Sequence, residues 1–130
     1  LFHEQRFNEY GSRLGVLADL VREGLAIPAD QYHDAKRYLR ESGARVATLL
    51  AATPVILVPA ATGPAPEGLE WTGDARMNSP WTALGTPAIS VPMPVGEALP
   101  LGLQLTGPKG HDAAVLHAAV RVHGILGRSS

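Results

Sequence analysis

The stretch Asn78-Ser79-Pro80-Trp81-Thr82-Ala83-Leu84-Gly85-Thr86-Pro87-Ala88-Ile89-Ser90-Val91-Pro92 decides how the rest of this 130-residue chain is read. Pro80 suits the first turn of a helix, where its missing N–H costs nothing, and Asn78 or Ser79 stands where a cap belongs. Gly85 ends that short helix. Ala88 to Val91, bracketed by Pro87 and Pro92, then has the length and composition of a strand. Downstream, Leu101, Leu103 and Leu105 alternate with Gly102, Gln104 and Thr106, which is strand periodicity with one apolar face. The loop from Pro92 to Pro100 is short enough for the two strands to pair antiparallel. After Gly107-Pro108-Lys109-Gly110, Asp112 is placed to cap a last helix whose face carries Val115, Ala119, Val122 and Leu126, with Gly127 as its stop.

Upstream, Phe7, Tyr10, Leu14, Leu17 and Val21 share a helical face over about residues 4 to 23, closed by Gly24. Pro28 and Asp30 signal a second helix with Tyr32, Ala35, Leu39, Val46 and Leu49 or Leu50 as its buried stripe. Gly43 weakens that helix by about 1 kcal/mol relative to Ala. Val55-Ile56-Leu57-Val58 is mostly β-branched and reads as a strand buried on both faces. Residues 60 to 77 are turns, rich in Gly and Pro.

Ten of the eleven prolines fall between Pro54 and Pro108. The expected organisation is a single partial domain over 1–130: helical over 1–52, strand- and loop-rich over 53–108, and a last helix over 109–127. The order α-α-β-loop-α-β-β-α makes it an α/β chain. Its strands are expected in a mixed sheet flanked by helices.

Composition narrows the function classes. With 45% apolar residues, 11 basic against 12 acidic side chains and a mean hydropathy of +0.04, the chain sits with soluble globular proteins. No Lys/Arg cluster offers a face for nucleic acid or an acidic membrane, and no apolar run approaches the ~20 residues that span a bilayer. Cysteine is absent, which removes disulfides and thiolate chemistry and fits a reducing, cytoplasmic setting. The chain opens Leu1-Phe2-His3-Glu4 without a methionine or a signal-peptide layout, and it reads as cut from something longer.

The search for catalytic groups yields little. Serine nucleophiles need a base and an oxyanion cradle, and no G-x-S-x-G elbow is present. Ser90 lies in a strand, and neither Lys36 nor Lys109 is expected beside an apolar pocket. His111, His117 and His123 recur every six residues, about 240° apart around a helix, so they do not form a metal set. Gly107-Pro108-Lys109-Gly110 before a helix could seat a phosphate, although Asp112 would repel it and a plain turn explains the same residues. Trp71 and Trp81, flanking Met77 and Asn78, have the character of a substrate-facing rim.

The quoted stretch, with its Asn, short helix, Gly and Pro-Ala-Ile-Ser-Val-Pro strand in that order, resembles the C-terminal pattern of amidase-signature enzymes. The similarity continues through Leu99-Pro100-Leu101-Gly102-Leu103-Gln104-Leu105-Thr106-Gly107, and upstream through Val55 to Pro59 and Ala65-Pro66, covering roughly residues 30 to 126. Thr53-Pro54 and Thr106 depart from the family's usual residues. The resemblance implies the C-terminal part of the amidase-signature fold, in a parent that hydrolyses a carboxamide C–N bond to acid and ammonia. It implies no metal or organic cofactor.

The family's Ser-cis-Ser-Lys triad comes from a Gly/Ser-rich segment and an earlier lysine, and nothing of that kind is present here. No catalytic residue is therefore expected in this chain; Trp71, Asn78 and Trp81 are the expected contacts for the parent's small amide substrate. A fragment of this sort should self-associate through its uncovered surface. Two alternatives are carried: a portion of the A subunit of a tRNA-dependent amidotransferase, which needs other subunits, and an autonomous non-enzymatic module.

Overall fold

A computed structural model describes residues 4–128, with the side chains of Ser12 and Val16 left aside. By backbone contacts the chain divides into two compact units, one ending at Arg40 and the other beginning at Glu41.

In the first unit, helix α1 (Glu4–Tyr10) passes through a 3-10 turn (Gly11–Arg13) into α2 (Val16–Ala26). The single helix expected over residues 4 to 23 is therefore broken. Gly15 is the cause: its φ of 52° and ψ of −131° lie outside the helical region, in backbone space that glycine enters without penalty. The expected apolar face is only partly realised: Phe7, Leu14 and Val21 are half-buried, Tyr10 and Leu17 are exposed, and the buried position falls on Ala18 instead. Arg22 lies over the Phe7 ring at 5.5 Å. Gly24 does not end α2. The helix continues to Ala26 and stops at Ile27, which is extended because it precedes Pro28.

Helix α3 runs Ala29–Ala52, and the Asp30 carboxylate accepts from the Gln31 N–H at 2.9 Å. Its expected buried stripe is only partly realised. Leu50 is buried and Val46 half-buried, but Tyr32, Ala35, Leu39 and Leu49 are exposed. Lys36 lies over the Tyr32 ring at 5.9 Å.

The second unit is built on a three-stranded sheet, β1 (Ile56–Pro59), β2 (Ala88–Pro92) and β3 (Gly102–Thr106), in the order β1-β3-β2. Both pairings are antiparallel: Leu57 faces Leu105 across one, and Ile89 faces Leu105 across the other. The mixed sheet expected from the sequence is thus, among the described residues, antiparallel throughout. The expected β2–β3 pairing is present.

Strand β1 is not buried on both faces. It is a sheet edge, and Leu57 is 50% exposed. The doubly buried position belongs to β3, where Gln104, Leu105 and Thr106 are 2%, 1% and 0% exposed. Helix α5 (Asp112–Leu126) covers one face of the sheet, packing Val115 and Ala119 against Val91 and Leu105, with Val122 and Leu126 partly buried beside them. His111, not Asp112, takes the cap position of α5, and Asp112 enters the first turn, where its charge meets the positive helix end.

Candidate functional site

The opposite face of the sheet is polar at its centre. Residues directly paired across strands share a face, so Gln104 and Thr106 lie on the same side as Ser90, Val58 and Ile56. Over them pass the segment after β1, a 3-10 turn (Ala75–Met77) and helix α4 (Ser79–Leu84). Asp74 starts the turn: its Oδ1 accepts from the Arg76 N–H at 2.8 Å, and its Oδ2 pairs with the Arg76 guanidinium at 2.6 Å. Gly85 ends α4 in the left-handed conformation, as the sequence leads one to expect.

Asn78 holds the cap position of α4, yet its side chain does not cap the helix. Nor does Ser79, whose hydroxyl donates back to the Ala75 carbonyl at 3.0 Å. The Asn78 carboxamide is instead used across the fold. Its Nδ2 donates to the Ala60 carbonyl at 3.3 Å, and its Oδ1 accepts from Gln104 Nε2 at 2.5 Å. Because the Ala60 carbonyl can only accept, it fixes the orientation of both amides in turn. Gln104 Oε1 is left buried and, among the described residues, without a hydrogen-bond partner. Beside this relay the Thr106 hydroxyl donates to the Pro87 carbonyl at 2.9 Å and lies 3.2 Å from Thr86 Oγ1.

Removing Asn78 would strand the Gln104 N–H as well as its oxygen. Because Asn78 is itself exposed, water can reach part of the vacated space, and the expected cost of Asn78→Ala in a denaturant-unfolding measurement is about 1 kcal/mol. Asn78→Ala combined with Gln104→Met, which deletes both orphaned atoms at similar volume, should recover part of that loss. If the double variant is no better than the single, the relay is not what Asn78 contributes.

Of the residues expected at a substrate rim, then, Asn78 is tied into the sheet. Trp81 sits half-buried on α4, and Trp71 stands 62% exposed in the preceding segment. Ser90 Oγ lies over Gly102, so close that a Cβ there would collide with it. His117 and His123 are exposed on α5 and His111 is exposed at its start. Among the described residues no three His, Asp or Glu side chains converge as a metal site, and no helix is long and apolar enough to cross a membrane.

One residue departs from expectation. Lys109 does line an apolar pocket, with Leu50 and Leu84 among its walls. Sequence reading missed this because the walls come from helices far upstream of the lysine.

Comparison with known proteins points to one class. No family model matches the chain, and no curated protein sequence matches it. A solved crystal structure of an amidase is similar, at 25% identity with a TM-score of 0.80. The likeness covers 95% of this chain and 32% of that one, so the chain spans about a third of the amidase's length and has an amidase-like fold over that span.

Proposed function

We propose that this chain is the C-terminal portion of an amidase-signature hydrolase. In that reading it scaffolds the parent's active site and lends the segment around Trp71, Asn78 and Trp81 to the carboxamide pocket. The observation that carries the proposal is the fit of nearly the whole chain onto a third of an amidase. The order of the Asn78–Pro92 and Leu99–Gly107 segments supports it as well. The parent would cleave a carboxamide to acid and ammonia, with the attacking serine and its lysine supplied from outside these residues.

The physical consequence is a chain that is inert alone. Catalysis of acyl transfer needs an activated nucleophile and positioned donors for the oxyanion. Ser90 has no base beside it among the hydrogen bonds and ion pairs of the described residues. The purified chain, incubated with acetamide, hexanamide or benzamide, is expected to release no ammonia above the uncatalysed rate. Ammonia release that persists through purification and disappears in Ser90→Ala would overturn the proposal.

A further inference from the structure

The pocket beside Lys109 has about 280 Å3 of free volume and lies wholly within the second unit. That places it just below the ~300–1,000 Å3 of ordinary small-molecule pockets, a size for a small ligand. Val46, Ala47 and Leu50 on α3 and Leu84 on α4 form its apolar walls, with Thr86 and Lys109 as its polar members. No carboxylate is among the lining residues.

The side-chain donors at this pocket reduce to one group. Thr86 Oγ1 already donates to the Trp81 carbonyl at 3.4 Å and faces the Thr106 hydroxyl, so its proton is engaged inside the fold. The Lys109 side chain runs over Gly85, where a Cβ would touch its Nζ at 3.6 Å and its Cε at 3.8 Å. The end of α4 attracts a cation at that position. Even so, among the described residues the ammonium makes no hydrogen bond and no ion pair. Three free N–H donors with a positive charge therefore stand at the edge of an apolar hollow.

From this complementarity we infer that the pocket binds a small monocarboxylate, its short apolar tail between α3 and α4 and its carboxylate on Lys109. A phosphate fits less well, because it carries no apolar tail to cover Val46, Ala47, Leu50 and Leu84 and its second charge is repelled more strongly by Asp112, three residues from Lys109. The inference does not rest on the amidase reading; it stands on the pocket residues alone.

The test is an NMR titration of the full 130-residue chain with hexanoate, against hexanamide and hexylammonium as ligands of the same tail. Hexanoate should give saturable shifts confined to Ala47, Leu84, Gly85 and Lys109, in the millimolar range. Hexanamide should bind about fivefold more weakly and hexylammonium more weakly still, the difference expected of one solvent-exposed charge interaction. Lys109→Met, which keeps the apolar stem, should weaken hexanoate about fivefold and leave hexanamide unchanged. Equal affinity for hexanoate and hexanamide, shifts that map elsewhere, a lack of saturation, or indifference to Lys109→Met would each overturn the assignment. The comparison of ligands on the unaltered chain reads out the same point without any variant.

Discussion

Leu105→Ala is expected to lower the unfolding free energy of the second unit by about 2–5 kcal/mol, the range for emptying a fully packed leucine site. Leu105 is paired on both sides, with Leu57 across one ladder and Ile89 across the other, and it packs in the cluster that α5 makes with Val91, Val115 and Ala119. None of these neighbours can fill the gap without moving a strand or the helix. Leu57→Ala offers the contrast within one experiment. It removes the same atoms from a half-exposed edge position, and the cost should fall below about 1 kcal/mol. Urea unfolding followed by circular dichroism measures both, and equal losses at the two positions would contradict the central placement of β3.

Gly107→Ala should destabilise by about 1–3 kcal/mol through overpacking alone. Gly107 follows directly on β3 and is buried. A Cβ there would stand 2.5 Å from Val115 Cγ2 and 3.0 Å from the Pro54 carbonyl oxygen. Its backbone is not in the left-handed region, so conformation is not the obstacle. Val115 is itself held in the core and cannot swing aside. A Gly107→Ala, Val115→Ala double variant should therefore lose less than the sum of the two single losses, since removing the valine methyls relieves the nearer clash. Strict additivity would show that the contact between Gly107 and Val115 is not what limits the position.

The elements that could be read from sequence are those whose signals are local. Pro80 and Gly85 bound α4, Pro87 and Pro92 bound β2, and the alternation through Leu105 marks β3. The features that escaped depend on partners distant in the chain. Nothing within Val55 to Val58 says whether a strand is central or edge; that follows from β3 entering between β1 and β2. Asn78 looks like a helix cap because caps are local, while its actual partner Gln104 lies 26 residues on. Gly15 could be seen as a glycine, but periodicity ran on through it and concealed the break. At the candidate site, Trp71 and Trp81 stand out by residue type alone, whereas the pocket at Lys109 needs α3 and α4 folded beside it.

The sheet order carries a kinetic consequence. The two outer ribbons are made first and the middle one last, so no ladder can begin to close until the polypeptide has reached Gly102. Until then Ile56 to Pro59 and Ala88 to Pro92 wait with their amides open, held apart by the missing centre. The β2–β3 ladder then closes as a local hairpin, while β1 joins β3 from far upstream in a late, long-range step, and until it does the newly made molecule is most open to sticking to its own kind.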